Sequence, residues 1–231
     1  MKPQLIIFDC DGVLIDSEWL ALQALTEMLA ENGVSLTLQE AFIRYAGKSA
    51  VSESGDLEKR YGVRLPPDFE HKKKVRRLQL FEERLERIPS ISKLLYALQI
   101  KKCIASGSSP DRLRHSLSLV GLWDVFAPNI FSSAHVKNGK PAPDLFLLAA
   151  ERMNTDPSEC LVIEDSVAGV QAAKAAQMHI YGFTGGKHCD ENHGERLLNE
   201  GAHRVFNHMD QIIDALHLNP MTNNEARNVY P

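Results

Sequence analysis

The stretch Ile6-Ile7-Phe8-Asp9-Cys10-Asp11-Gly12-Val13-Leu14 constrains this chain more than any other. An apolar run stops abruptly at two carboxylates spaced i, i+2, and a glycine follows. If the extended conformation persists through Cys10, Asp9 and Asp11 project to the same side. Two like charges so close repel, so a fold that keeps both needs a cation, a proton or a reaction between them. Gly12 then releases the chain into a tight turn. Asp and Gly are also ordinary turn residues. From this stretch alone an acidic turn and a functional site remain equally open.

The rest of the chain narrows the choice. Asp16 or Ser17 can cap a helix to about Asn32 with Ala21, Leu22, Leu25, Met28 and Leu29 inward, and Gly33 ends it. Thr37-Leu38-Gln39-Glu40 reads as a capping box opening a second helix. Ser49 can cap a third helix that runs toward Tyr61. Pro66-Pro67 starts a long fourth, with Phe69, Val75, Leu78, Phe81 and Leu85 inward and a solvated Lys/Arg face opposite. Past Pro89 apolar strands alternate with helices. The strands are Cys103–Ser106, Ile130–Ser133, Leu161–Ile163, His179–Phe183 and Arg204–Phe206, and Asn207 caps a last helix. Continuous apolar strands between helices predict an α/β fold, a doubly wound parallel sheet covered on both faces. Residues 1–15 and 88–218 form that core. Residues 16–87 are an inserted all-helical cap domain, and 219–231 a polar tail.

With 231 residues the chain is long enough for one large domain with an insertion. A net charge of −4 gives no global basic field for nucleic acid or an anionic membrane, and no apolar run reaches membrane-spanning length. Met1-Lys2-Pro3 leads straight into a strand, without room for a signal peptide. The cysteines Cys10, Cys103, Cys160 and Cys189 lack CxxC spacing, so free thiols and a cytoplasmic setting are expected. The nine histidines show no HxxxH spacing, and none is assigned a role.

In a doubly wound sheet, ligands bind outside the carboxyl ends of the strands. Asp9 and Asp11 end the first strand, Ser106-Gly107-Ser108 the second, and Glu164-Asp165 the fourth; Lys140 lies in the loop after the third. The carboxylates suit a hard cation such as Mg²⁺. Ser106, Gly107 and neighbouring amides, Lys140 and the helix dipole near Pro110 suit a phosphate. Each piece has a plainer reading as a helix cap, a solvated lysine or a helix start. Their convergence on one edge favours a phosphate-and-metal site.

Those motifs resemble the haloacid dehalogenase superfamily: Asp-x-Asp-Gly-Val-Leu (Asp9 to Leu14), a hydroxyl ending the second strand (Ser106), Lys-Pro-x-Pro-Asp (Lys140 to Asp144) and Glu-Asp-Ser (Glu164 to Ser166). The helical insertion resembles the small cap of the branch that holds sugar-phosphate phosphatases, phosphoglycolate phosphatase and beta-phosphoglucomutase. The resemblance implies that Asp9 is the nucleophile and Asp11 the general acid and base. It implies Mg²⁺ held by Asp9, the main-chain carbonyl of Asp11 and Asp165, with Glu164 close by. Ser106 and Lys140 bind the phosphoryl group. In the cap, Glu18, Lys48 and Ser49 are the residues expected to face the substrate, and a solvated Lys48 is an equal alternative.

Departures from the family pattern sharpen the reading. Asp11 argues against halide chemistry. Beta-phosphoglucomutase has a histidine where Ala21 stands and an arginine near the position of Ala50, and both absences lower the mutase reading; Trp19–Asn32 holds no lysine of the kind phosphonoacetaldehyde hydrolase uses for a Schiff base. Gln177 replaces the usual glycine after Ala175-Ala176, at some cost in C-cap stability. The expected activity is hydrolysis of a small phosphorylated metabolite, a sugar phosphate or sugar-acid phosphate. The sequence is broadly similar to 6-phosphogluconate phosphatases. A phosphomutase and a non-catalytic phosphate-binding protein are the alternatives. Oligomeric state is not readable.

Overall fold

The computed structural model describes residues 2–45 and 50–218. By internal contact the chain separates into two units, one formed by the N-terminal residues to Asp16 together with the chain from Glu86 onward, the other by Ser17–Leu85. The first unit is built on strands β1 (Leu5–Phe8), β2 (Lys101–Ser106), β3 (Ile130–Ser132), β4 (Cys160–Glu164), β5 (His179–Phe183) and β6 (Arg204–Phe206). They form one parallel sheet in the order β3-β2-β1-β4-β5-β6. The order reverses at β1, and there the crevice outside the carboxyl ends opens. Register aligns Ile7 with both Cys103 and Val162, so β1 is the buried central strand.

The helices of the second unit are α1 (Glu18–Glu31), α2 (Leu38–Tyr45), α3 (Ala50–Tyr61) and α4 (Phe69–Arg84). Those of the first are α5 (Ile91–Ala97), α6 (Pro110–Leu119), α7 (Trp123–Phe126), α8 (Asp144–Arg152), α9 (Val167–Ala175), α10 (His193–Glu200) and α11 (Met209–Ala215). The period of two along the strands divides the core between the faces. Leu5, Ile7, Cys103, Ala105, Cys160, Val162 and Ile180 meet Leu145, Phe146, Ala149, Val170, Ala173 and Leu197 of α8, α9 and α10. Phe8 turns the other way, edge-on to Phe126 of α7 with ring centroids 5.9 Å apart. No helix among the described residues is long and apolar enough to cross a membrane.

In the helical unit, Leu22, Leu25, Met28, Leu29, Tyr45, Leu57 and Phe69 form one cluster, and Leu20, Ala24, Leu80 and Phe81 another. The predicted capping box is present: the Thr37 amide donates to Glu40 Oε2 at 3.0 Å and the Glu40 amide to Thr37 Oγ1 at 3.2 Å. Several inward positions differ from the sequence pattern, Leu78 and Leu85 among them, which are only partly buried. Ala21 is only partly buried, and Val75 of α4 is 41 % exposed. The buried face of α4 runs through Phe69, Lys73, Leu80 and Phe81, which a 3.6-residue period aligns and Val75 leaves. Lys73, expected on the solvated face, lays its stem inward and brings its ammonium 3.0 Å from Glu70.

Other differences are local. Helices α7 and α10 had no sequence signal. The last helix is capped by His208, whose Nδ1 accepts from the Asp210 amide, rather than by Asn207. Gln177 occupies the left-handed region with φ +59°. There its amide and that of Met178 donate to Lys174 and Ala173, the hydrogen-bond pattern a C-terminal glycine usually serves.

Candidate active site

The backbone leaves the extended conformation directly after Phe8. Asp9 still donates its amide to the Ile163 carbonyl at 3.0 Å, Cys10 is a bend, and Gly12 turns the chain with φ +80°. The two carboxylates therefore do not share one set of partners, as persisting strand geometry would have them do. Asp9 Oδ1 receives Lys140 Nζ at 2.9 Å. Asp11 is held separately, its Oδ2 by the Ser108 hydroxyl at 2.5 Å and its Oδ1 by Arg112 Nη2 at 2.8 Å.

Lys140 is no solvated loop lysine. Its side chain is 9 % exposed, its ammonium also reaches Glu164 Oε2 at 2.7 Å, and it lies 4.9 Å from the centroid of the Phe146 ring. Glu164 is fully buried, and its other oxygen accepts from the Ser166 amide at 3.0 Å and hydroxyl at 2.7 Å. Ser166 in turn accepts from the Gly169 amide and caps α9. A Cβ at Gly169 would stand 2.0 Å from the Glu164 carboxyl carbon, so only glycine lets α9 pack over that carboxylate. The Glu-Asp-Ser motif is thus both a helix start and part of the site.

The second strand end is held just as closely. The Ser108 amide donates to Ser106 Oγ at 3.1 Å, while the Ser132 and Ser133 hydroxyls donate to the Ser108 and Gly107 carbonyls at 2.6 and 2.7 Å. Among the described residues, nothing lies within 4 Å of a Cβ built on Gly107. Ser109, not Ser108, caps α6, accepting from the Arg112 amide.

Asp9, Glu164 and Asp165 bring carboxylate oxygens within 4.8 Å of one another, all buried. Burial, followed by Glu164, pushes the Asp9 carboxyl well above its ordinary value, and Lys140 only partly offsets this. Burial also raises Glu164. Against its own burial, Lys140 is raised by Asp9 and Glu164 and stays a cation. Lys140 pairs with two of these three buried carboxylates, Asp9 and Glu164. An all-oxygen donor set of this kind fits a hard divalent cation such as Mg²⁺. Lys140 and Ser166 already engage both Glu164 oxygens, which leaves Asp9 and Asp165 as its freest carboxylates.

The loop after β5 contributes residues that the sequence did not signal. His188 Nε2 lies 2.8 Å from Asp165 Oδ2, and His193 Nε2 2.5 Å from the Asp165 carbonyl. Cys189 Sγ lies 3.4 Å from His188 Nε2. Burial alone would lower the His188 pKa, but Asp165 and Cys189 outweigh it and lift the imidazole to about 11. His188, Cys189 and His193 also bring potential metal ligands together, yet both Nε2 atoms are already engaged by Asp165. Gly186 of the Thr184-Gly185-Gly186 loop makes room for the His188 ring; a Cβ there would meet Nδ1 at 2.6 Å. Lys187 next to it donates its amide to Asp16 Oδ1 at 3.1 Å, tying this loop to the turn after β1.

Of the sequence-derived candidates, Asp9, Asp11, Ser106, Gly107, Lys140, Glu164 and Asp165 gather at the carboxyl ends of β1, β2 and β4 and the loop after β3. Glu18 opens α1 of the helical unit, and Lys48 and Ser49 lie outside the described residues. Ser108, Arg112, His188 and His193 are additions. An arginine one turn into the helix after Ser106-Gly107-Ser108 was the available signal for Arg112. For the histidines only the fold brings them to Asp165.

A family model for haloacid dehalogenase-like hydrolase matches residues 3–177. The 6-phosphogluconate phosphatase of Escherichia coli is 29 % identical over 91 % of this chain and 93 % of its own length. Among solved structures, a conserved haloacid dehalogenase-like protein of unknown function from Agrobacterium tumefaciens superposes with TM-score 0.86 at 35 % identity, covering 93 % of this chain and 97 % of that one. A family hydrolase from Deinococcus radiodurans, solved with phosphate and sodium bound, gives TM-score 0.82 at 30 % identity over 95 % and 99 %.

Proposed function

The chain belongs to the haloacid dehalogenase-like hydrolases, and on that footing we propose that it is a Mg²⁺-dependent phosphatase of a small phosphorylated metabolite, a sugar phosphate or sugar-acid phosphate. The observation that carries this reading is the pairing of Asp9 with buried Lys140 beside Glu164 and Asp165, while Asp11 is held apart by Ser108 and Arg112. One carboxylate faces the charge-compensating groups; the other has its own support. That is the separation a nucleophile and an acid/base pair need.

In this reading Asp9 attacks phosphorus, an Asp9–phosphorus bond forms, and the bond to the alcohol oxygen breaks. Asp11 gives that oxygen a proton. Water then attacks the aspartyl-phosphate, Asp11 takes a proton from it, and inorganic phosphate leaves with the Asp9 carboxylate restored. Ser106, the Gly107 amide and Lys140 stabilise the phosphoryl oxygens, aided by the N-terminus of α6. Asp9, Asp165 and the Asp11 main-chain carbonyl would hold Mg²⁺, with Glu164 behind Lys140. When bound, Mg²⁺ neutralises charge that develops on the phosphoryl group.

The bound phosphate of the Deinococcus relative and the sugar-acid phosphatase among the relatives support the substrate class, with 6-phosphogluconate the first compound to test. Glu18, Lys48 and Ser49 are the proposed readers of the alcohol. The test is phosphate release from a panel of sugar and sugar-acid phosphates with Mg²⁺. The wild type should turn over at least one member and Asp9→Asn none. No release across the panel, or full activity in Asp9→Asn, sinks the reading. Interconversion of isomers in place of phosphate release would mark a phosphomutase.

A further inference from the structure

Asp165 is gripped from outside the three strand ends, through both its side chain and its main chain. We infer that His188 and His193 are positioning residues that fix the orientation of Asp165, leaving its Oδ1 to the cation. This inference rests on the reading of Asp165 as a Mg²⁺ ligand.

The geometry carries the argument. His188 Nε2 lies 2.8 Å from Asp165 Oδ2. Its ring is seated between two glycines: a Cβ at Gly12 would stand 2.8 Å from His188 Cε1 and 2.0 Å from Asp165 Oδ2, and one at Gly186 would stand 2.6 Å from His188 Nδ1. The ring is nearly buried, and among the described residues its Nδ1 has no hydrogen-bond partner. A buried imidazole with an unmatched nitrogen is a poor choice for core packing alone. Its bond to Asp165 is what the seat secures.

His193 completes the grip. Arg196 Nη2 lies 3.0 Å from His193 Nδ1, and a guanidinium only donates, so Nδ1 accepts and Nε2 carries the hydrogen. That hydrogen is donated to the Asp165 carbonyl. Both imidazoles therefore present N–H groups to Asp165, one to the carboxylate and one to the backbone. Outer partners of this kind orient a ligating carboxylate, and their loss weakens metal binding by roughly 10–100-fold.

The test is Mg²⁺ binding to the full chain by isothermal titration calorimetry, with the Mg²⁺ dependence of kcat and the substrate KM at saturating Mg²⁺ as companion readouts. His188→Ala should weaken Mg²⁺ binding about 10–100-fold, with KM nearly unchanged. His188→Gln places an amide N–H near the position of Nε2 and should recover most of the affinity. His188→Asn, whose amide is too short, should not. The Gln and Asn variants carry the comparison by themselves if the alanine variant does not fold. Wild-type affinity in His188→Asn, or equal loss in Gln and Asn, overturns the positioning role. A wild type that binds no Mg²⁺ overturns the cation reading first, and this inference with it.

Discussion

Lys140 and Asp9 form an ion pair of 2.9 Å in which each side chain is about nine-tenths buried. Because Glu164 shares the same ammonium at 2.7 Å, removing the lysine leaves two buried carboxylates uncompensated. Breaking a buried pair from one side costs about 3–5 kcal/mol. Lys140→Met should lower stability by that order in denaturant titrations and abolish phosphate release. Adding Asp9→Asn to Lys140→Met should restore part of the stability and none of the activity. A double variant less stable than the single one would contradict this account.

Gln177 supplies a prediction of opposite sign. It ends α9 with φ +59°, a conformation that costs a side-chain-bearing residue about 1–2 kcal/mol. Gln177→Gly should keep the hydrogen bonds to Lys174 and Ala173 while relieving that cost. The expected gain is about 1 kcal/mol, a rise of about 2–4 °C in Tm for a chain of this size. Activity should not change. Calorimetry reads the first and phosphate release the second.

The cysteines should differ sharply in reactivity. Burial raises the thiols of Cys10, Cys103 and Cys160, the last to about 11. At Cys189 burial also pulls upward, but His188 and His193 outweigh it and lower the thiol. Cys189 is also the one free cysteine that is not fully buried. Iodoacetamide on the native protein near neutral pH should label Cys189 first, as peptide mapping would show. Faster labelling at Cys103 would refute the environments described.

The helical unit should lose some stability in acid. Arg76 hydrogen-bonds Glu27 at 2.5 Å and holds its carboxyl below the ordinary value. A group depressed in the folded state contributes fully above its unfolded value, and the contribution is lost as pH falls through the folded value. The pair is partly exposed, so about 0.2–1 kcal/mol is at stake. Glu27→Gln should therefore destabilise the protein at pH 7 and make little difference near pH 3 in the same denaturant titration.

The parts of the fold visible in sequence were those where one residue type has one local meaning. Apolar runs marked β1 to β6, and Thr37 with Glu40 marked the start of α2. The helices without a sequence signal, α7 and α10, are short or strongly polar, and their burial rests on one or two residues such as Phe126 and Leu197. Val75 and Lys73 exchanged places because a long lysine stem serves as an apolar surface while its charge stays outside. At the site, Asp9, Lys140 and Asp165 were legible from the rule for strand ends. His188 was not, since its meaning depends on a loop returning from β5 to a carboxylate after β4.

The position of β1 in the middle of the sheet bears on how the chain is made. Its partners are β2, which starts at Lys101, and β4, which starts at Cys160. A ribosome adding roughly 5–20 residues per second reaches β4 about 8–30 s after β1. Until β2 emerges the strand carrying the proposed nucleophile has no strand to pair with, and its other edge stays unpaired until β4 arrives. Ser17–Leu85, held by contacts close in sequence, can fold meanwhile. Of the six strands, the one made first thus waits longest for its second partner, and the nascent sheet is most vulnerable to wrong pairing at Ile6-Ile7-Phe8.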